Sequence, residues 1–87
     1  MADAALKEKI RDALKGAYFK NADELVDVSD GDDDGVHVVI VSRQFDGRRM
    51  KEKSDLIWSV LTQQLKQDEW DKVSLAVGAS PDELKGI

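Results

Sequence analysis

The chain has no cysteine, and its 87 residues include only one histidine and one proline. The lack of cysteine excludes disulfides, thiolate nucleophiles, zinc fingers and cysteine-ligated iron–sulfur clusters. A single histidine leaves no Cys/His metal cluster and no pair of imidazoles. The sequence also has no Gly-x-Ser-x-Gly elbow and no glycine-rich phosphate loop. These absences predict a protein that is not an enzyme and that needs no cofactor.

Long apolar runs are missing as well. The longest run, Val38–Val41, is far shorter than the span of about 20 residues that a membrane helix needs. The first residues, MADAALKEKI, lack the apolar core of a signal peptide. We therefore expect a cytoplasmic protein with no membrane association. The length of 87 residues, with 41% hydrophobic residues, predicts a single domain over residues 1–87, and we expect a monomer.

Charge is unevenly distributed along the chain, which carries a net charge of -5. Residues 21–36 hold acidic side chains and no basic one, whereas residues 43–53 are rich in bases. The basic side chains of this segment are Arg43, Arg48, Arg49, Lys51 and Lys53. They are the best candidates for a binding site, because arginine and lysine pair with carboxylates and phosphates. The alternative is a solvated turn followed by a helix start.

Apolar spacing predicts the helices. Leu6, Ile10 and Leu14 share one face and predict an amphipathic helix over residues 3–16. A second helix is expected to be capped by Ser54 and to continue to about Leu65. The final segment, Ser80-Pro81-Asp82-Glu83, has the capping-box pattern of a helix start, with serine at the N-cap and proline in the first position.

Three segments have the pattern of β-strands. In residues 24–29, Val26 and Val28 face one side. Residues 36–42 are apolar on both faces apart from His37, which is typical of a central strand. Alternating apolar residues at Val73, Leu75 and Val77 predict the third strand. The order α-β-β-α-α-β-α predicts an α+β fold, a three-stranded mixed sheet with helices packed on one face.

The loop between the first two strands has the spacing of the first half of a calcium loop. Asp30, Asp32 and Asp34 stand at positions 1, 3 and 5 of that pattern, and Gly35 follows them. Position 12 of such a loop should be a bidentate glutamate, but Val41 stands there, inside a strand. A solvated acidic hairpin is therefore the main interpretation, and weak calcium binding is the alternative.

The aromatic residues and the histidine are predicted to pack rather than to bind ligands. Tyr18 and Phe19 follow the first helix and are expected to belong to the core or to cover it. Trp58 and Trp70 are expected in the core, with an interface role as the alternative. His37 lies in the middle of a strand, where a lone histidine is most often a half-buried packing residue.

Several segments together have the motifs of one known family. The hydrophobic strand ends in Val41-Ser42, and Phe45-x-Gly47 follows it. Ile57, Trp58, Leu61 and Leu65 then stand where that family has Val-Tyr-x-x-Leu-x-x-x-Leu. Ser80-Pro81-Asp82-Glu83 resembles its closing Thr-Pro-x-Glu, and Asp27-x-Ser29 resembles its strand-ending acid–serine segment. From about Leu6 to Glu83, the chain therefore resembles the BolA-like family.

This resemblance implies a fold related to the class II K-homology domain and a small, non-enzymatic binding or regulatory protein. Members of the family pair with monothiol glutaredoxins around a shared iron–sulfur cluster, and some are transcriptional regulators that touch DNA. A protein partner, a monothiol glutaredoxin by resemblance, is therefore the main expectation. The alternative is a nucleic-acid-binding regulator that uses the basic segment at residues 43–53.

The chain departs from the family where the family carries its chemistry. The Arg-His-Arg motif corresponds here to Lys53-Ser54-Asp55. The cluster-ligating histidine before the third strand falls at Trp70 or Asp71, and the hairpin loop Gly31–Gly35 lacks the second Cys or His ligand. The Gly-x-x-Gly loop of K-homology domains is also missing near Lys51–Ser54. The resemblance therefore implies a divergent member that has lost the cluster site.

Overall fold

A computed structural model describes residues 3–31 and 33–85, with side chains as far as Glu83. Within these residues the α-helices are α1 (Ala4–Ala17), α2 (Met50–Gln64), α3 (Gln67–Trp70) and α4 (Pro81–Lys85). The strands are β1 (Leu25–Asp30), β2 (Val36–Val41) and β3 (Val73–Ala79), and a 3₁₀ turn spans Arg43–Phe45. The predicted α+β fold and its order of elements are confirmed. No helix among the described residues is long and apolar enough to cross a membrane.

The three strands form one mixed sheet in the order β1-β2-β3. β1 and β2 are an antiparallel hairpin, and β2 and β3 are parallel. A parallel neighbour requires a crossover, and α2 with α3 provides it. The prediction that residues 36–42 form the central strand is confirmed, because β2 has a partner on each side.

The helices pack on one face of the sheet, and the core lies between the two layers. From α1, Ile10 and Leu14 are fully buried, and from α2, Ile57 and Leu61 are fully buried. They meet the inward side chains of the strands, which are Val26, Val28, Val36, Val38, Ile40, Val73 and Ala76. Burying each large aliphatic side chain contributes about 1.5–3 kcal/mol. This layer of contacts is therefore the main source of stability.

α2 begins at Met50, so the prediction that Ser54 caps this helix is wrong. Arg49 is the N-cap residue, and its backbone N–H donates to Glu52 Oε1 at 2.9 Å. Glu52 stands at the third helical position, where a carboxylate can satisfy a free N–H of the first turn. Helix formation therefore starts one turn earlier than the serine indicated, and Ser54 lies inside the helix.

β3 does not keep the simple alternation of Val73, Leu75 and Val77. Val73 is buried, but Leu75 is 43% exposed and the next inward residue is Ala76. The pairing with β2 shifts between Val36 and His37, which is the signature of a β-bulge. The bulge adds one residue to β3 and reverses the faces of the residues that follow it. The segment is a strand as predicted, but its apolar residues are divided between two faces.

Candidate functional site

The basic residues of segment 43–53 divide into an exposed group and one buried lysine. Arg43, Arg48, Arg49 and Lys51 are exposed and lie between the end of β2 and the first turn of α2. We call these four residues the basic turn. Lys53 is only 4% exposed. It cannot contact a partner directly and is not part of this surface.

A buried carboxylate anchors the start of the basic turn. Glu24 is 6% exposed and accepts hydrogen bonds from the hydroxyl of Ser42 and from Gln44 Nε2, the latter at 2.9 Å. The backbone N–H of Asn21 donates to its other oxygen at 2.9 Å. Ser42 Oγ in turn accepts from the backbone N–H of Gln44 at 3.1 Å. The network therefore ties the connection between α1 and β1 to the turn that follows β2.

Two opposing effects set the pKa of Glu24. Burial raises it, since a charged carboxylate is poorly solvated there, but the hydrogen bonds from Ser42, Gln44 and Asn21 lower it further than burial raises it. The pKa of Glu24 lies below its ordinary value of 4.5. Ser42 is 1% exposed, so its hydroxyl is inaccessible to a substrate. The Glu24–Ser42 pair therefore acts as a structural anchor.

An aromatic contact and a glycine fix the rest of this connection. Phe45 is fully buried, with its ring centroid 5.7 Å from that of Phe19. A Cβ added at Gly78 would lie 2.8 Å from the Phe45 ring, so the ring occupies the space that a side chain on β3 would need. Gly47 has a φ of +73°, a conformation that glycine adopts without strain. The backbone that carries the basic turn is thus held on both sides.

Among the described residues, the cations of the basic turn form ion pairs with solvent-exposed carboxylates. Arg43 Nε lies 4.0 Å from Asp23 Oδ2, and both side chains are about two-thirds exposed. Lys51 Nζ lies 3.2 Å from Asp55 Oδ2, again in solvent. Exposed pairs of this kind contribute about 0–1 kcal/mol. A partner that supplies carboxylates or phosphates can replace them at small cost.

Lys53 joins α2 to the start of α4. Its Nζ donates to Glu83 Oε1 at 2.5 Å, and the same oxygen accepts from the backbone N–H of Ser80 at 3.0 Å. Ser80 Oγ accepts from the backbone N–H of Glu83 at 3.3 Å, which confirms the predicted capping box. The hydrogen bond from Lys53 lowers the pKa of Glu83 to about 2, with the Ser80 contacts adding to it. The sequence contains a signal for the burial of Lys53, because this residue lies four positions before Ile57 and therefore on the apolar face of α2.

The acidic hairpin shows no metal geometry in the described residues. Asp32 lies outside them, and no group of three or more His, Cys, Asp or Glu side chains that could hold a metal ion occurs within them. Asp30 pairs with Lys7 at 3.0 Å. Asp33 and Asp34 have φ values of 53° and 62°, so they form the tight part of the turn. The described geometry therefore gives the calcium alternative no support.

Trp70, one of the two residues that the resemblance compares with a cluster ligand, is a packing residue, and so are Trp58 and His37; the other residue, Asp71, is exposed. The His37 ring is half-buried and lies so close to Gly31 that a Cβ there would be 2.7 Å away. Trp70 and Trp58 are half-buried, packed against the core and in edge contact, with centroids 6.3 Å apart. Tryptophan offers neither sulfur nor imidazole, which iron–sulfur ligation uses. Neither tryptophan therefore fits as a ligand of a shared iron–sulfur cluster.

The face of the sheet opposite the helices is a surface that the sequence analysis did not identify. It has three rows of side chains across β1, β2 and β3. The rows are Leu25–Val41–Ala79, Asp27–Val39–Val77 and Ser29–His37–Leu75. None of these residues is buried, and no helix of the described chain covers them. We call these nine residues the open face. The feature of the sequence that indicated it is the apolar character of both faces of β2.

The comparisons with known proteins do not assign the chain to a family. No protein-family model, no curated protein and no solved structure matches it. What the fold and the site define is a class: a small α+β domain whose helices cover one face of a three-stranded sheet and whose basic turn is rigidly anchored and exposed.

Proposed function

We propose that this chain is a non-enzymatic interaction module that binds an acidic surface of a partner protein through its basic turn. Preorganisation of the basic turn is the observation that carries this proposal. Its backbone is fixed by the Glu24–Ser42 anchor and by the buried Phe45, while its cations are exposed. A rigid cationic surface loses little conformational entropy on binding, which favours affinity.

The resemblance to the BolA-like family suggests which partner to test first. On this resemblance we propose that the chain is a divergent member of that family and that its partner is a monothiol glutaredoxin. The order of elements agrees with this, but the fold is compatible with other families too. Iron regulation and a cytoplasmic location are further expectations that depend on the same resemblance.

Charge reversal tests the proposed surface. In calorimetric titration with a monothiol glutaredoxin lacking its cluster, we expect the natural chain to bind and Arg48→Glu/Arg49→Glu/Lys51→Glu to bind roughly tenfold or more weakly. Arg11→Glu/Lys66→Glu/Lys72→Glu is the matched control, because it changes the net charge by the same amount and all three residues are exposed outside the basic turn. An equal loss of affinity in both variants would mean that only the net charge of the chain matters. No loss of affinity in either variant would mean that the partner binds a different surface.

Spectroscopy tests the loss of the cluster site separately. The chain has no cysteine, and His37 is its only histidine. We therefore expect that adding the protein to a cluster-loaded monothiol glutaredoxin produces no new visible-range absorbance or circular-dichroism band. A stable mixed cluster with a new band would contradict this part of the proposal and leave the binding surface to be judged by the titration.

Nucleic-acid binding is the alternative use of the same surface. Exposed arginines and lysines contact phosphates, and such binding weakens steeply as salt is raised. The net charge of -5 opposes it. Salt-dependent binding of DNA or RNA that the triple charge reversal abolishes would favour the alternative. Absence of binding to either at low salt would eliminate it.

A further inference from the structure

Lys53 is the cation of residues 43–53 that the fold withdraws from solvent. Its side chain is 5% exposed, whereas the side chain of its partner, Glu83, is 51% exposed. A buried ammonium is strongly unfavourable unless a counter-charge accompanies it. Lys53 therefore needs a carboxylate, and Glu83 on α4 supplies it, with Nζ and Oε1 2.5 Å apart.

The position of Lys53 on α2 would place it in the basic turn if it were exposed. The backbone N–H of Lys53 donates to the carbonyl oxygen of Arg49, a member of the basic turn, at 3.0 Å. Residues four positions apart lie on the same side of a helix, about 5.4 Å from each other along its axis. An exposed Lys53 would thus extend the basic turn along α2, and its pairing with Glu83 keeps it out of that surface.

The described side chains of α4 add little to the core. The helix has five residues, a length that is not stable by itself. The structure describes the side chains of Pro81, Asp82 and Glu83, and none of the three is buried. Within this described part of α4, the hydrogen bond from Lys53 to Glu83 holds the helix to α2. We therefore expect α4 to open at a lower free-energy cost than the domain as a whole, as segments with few buried contacts do.

α4 also carries the chemistry that the basic turn is proposed to bind. Asp82 and Glu83 are adjacent carboxylates, and both are exposed. An acidic surface of a partner protein presents the same groups. Once α4 moves away, a carboxylate of the partner can therefore replace Glu83 and form the same charge-assisted hydrogen bond with Lys53.

We propose that α4 is an autoinhibitory helix: Glu83 pairs with Lys53 until an acidic partner displaces it, and Lys53 then joins the basic turn. This autoinhibition rests on the proposed function, because it requires that the basic turn binds carboxylates of a protein. The affinity of the natural chain is reduced by the fraction of molecules in which α4 is open. Weakening the Lys53–Glu83 hydrogen bond raises that fraction and tightens binding.

The first experiment measures the opening of α4 in the full chain by amide hydrogen exchange. The backbone N–H groups of Ser80 and Glu83 donate to Glu83 Oε1 and Ser80 Oγ, respectively. We expect both to exchange at least about tenfold faster than the N–H groups of Ile57 and Leu61 in α2. A monothiol glutaredoxin lacking its cluster should accelerate them further, although binding usually protects amides. Equal protection in α2 and α4, or slower exchange at Ser80 and Glu83 in the complex, overturns the proposal.

The second experiment measures affinity for the same glutaredoxin by calorimetric titration. Glu83→Gln should bind at least about fivefold more tightly than the natural chain, the lower end of the usual coupling between sites. Asp82→Asn is the matched control, because it removes the same charge from the neighbouring exposed residue. It should change the affinity by less than about twofold, since an exposed charge contributes little. No gain in Glu83→Gln, or an equal gain in both variants, overturns the proposal.

Two further variants separate autoinhibition from a purely structural role. Lys53→Met/Glu83→Gln should lose the gain in affinity, because the cation that the partner would contact is absent. Glu83→Asp keeps the charge but shortens the side chain, so it should also tighten binding, and it replaces Glu83→Gln if circular dichroism shows that variant to be unfolded. A double variant that binds as tightly as Glu83→Gln contradicts the role of Lys53.

Failure of the autoinhibition can be distinguished from failure of the proposed function. If the natural chain binds the glutaredoxin and Glu83→Gln binds no better, the autoinhibition is wrong and the proposed function stands. If neither the natural chain nor any variant binds, the proposed function is wrong and the autoinhibition with it, whatever the exchange experiment shows about the opening of α4.

Discussion

At the scale of single residues, the missing side chain of a glycine is structurally important where an aromatic ring packs directly against the backbone. Gly78 leaves room on β3 for the ring of Phe45, and Phe45 in turn fixes the backbone below the basic turn. Gly16 is different, because a Cβ there would meet nothing within 4 Å. The two glycines therefore have different physical roles, although nothing in the sequence around them distinguishes them.

The first prediction compares these two glycines. Gly78→Ala forces the Phe45 ring to move and should lower the free energy of unfolding by about 1–3 kcal/mol, the usual cost of overpacking. Gly16→Ala lies in α1 and should instead stabilise the protein by about 0.5–1 kcal/mol. Urea denaturation of both variants measures the difference. Equal effects at both sites would contradict the contact between Gly78 and Phe45.

The second prediction concerns the anchor of the basic turn. Ser42→Ala removes a buried hydroxyl that donates to Glu24, and the carboxylate that remains is only 6% exposed. Loss of a partner for a buried polar group costs about 1–3 kcal/mol. Ser59→Ala is the control, since Ser59 is exposed on α2. A Ser42→Ala variant as stable as the Ser59→Ala variant would show that the anchor adds little stability.

At the scale of elements, the start of α2 decides which cations are exposed. Because the helix begins at Met50, Lys53 falls on its buried side and pairs with Glu83. A start at Ser54 would have left Lys53 in the preceding turn, beside the other bases. The difference of one helical turn thus removes one residue from the candidate binding surface and turns it into a link between α2 and α4.

The third prediction distinguishes the two possible starts of α2. Glu52→Ala removes the acceptor for the Arg49 N–H and should cost about 0.5–2 kcal/mol, as other losses of helix caps do. Ser54→Ala lies within the helix and should change stability by less than about 0.5 kcal/mol. Thermal unfolding of both variants measures the order of the effects. If Ser54→Ala were the more destabilising of the two, Ser54 would be the N-cap residue, as the sequence predicted.

At the scale of the whole molecule, carboxylates connect elements that are distant in sequence. Glu24 joins the segment before β1 to the turn after β2, and Glu83 joins α4 to α2. Glu69, which lies on α3, accepts from Lys9 on α1. All three carboxylates have a lowered pKa. The packing of the helices and the position of the basic turn therefore depend on the ionised form of these groups.

The fourth prediction is the resulting pH dependence. A carboxylate with a lower pKa in the folded state stabilises the fold above its unfolded pKa, and this stabilisation is lost as pH falls through the folded pKa. Folding lowers the pKa of Glu83 from its ordinary value of 4.5 to about 2. The free energy of unfolding should therefore decrease as the pH falls between these two values. Denaturant titrations at a series of pH values should show a shallower decrease for Glu83→Gln. An unchanged slope would contradict the Lys53–Glu83 link.

The sequence by itself determined the order of elements and the central position of β2. Periodic apolar residues such as Ile10 and Leu14 have one face to bury, and a strand that is apolar on both sides needs neighbours on both sides. The capping box at Ser80 could also be predicted from the sequence, because its hydrogen bonds join residues only three positions apart. These features depend on local chemistry, so a single sequence carries them.

Only the tertiary structure decided which residues are accessible. The burial of Lys53, the bulge in β3, the contact between Phe45 and Gly78 and the Glu24–Ser42 anchor all join segments far apart in the chain. Their positions follow from the packing of helices on a sheet, which no local pattern encodes. For the same physical reason, the open face became visible only when the helices of the described residues were found on the opposite side of the sheet.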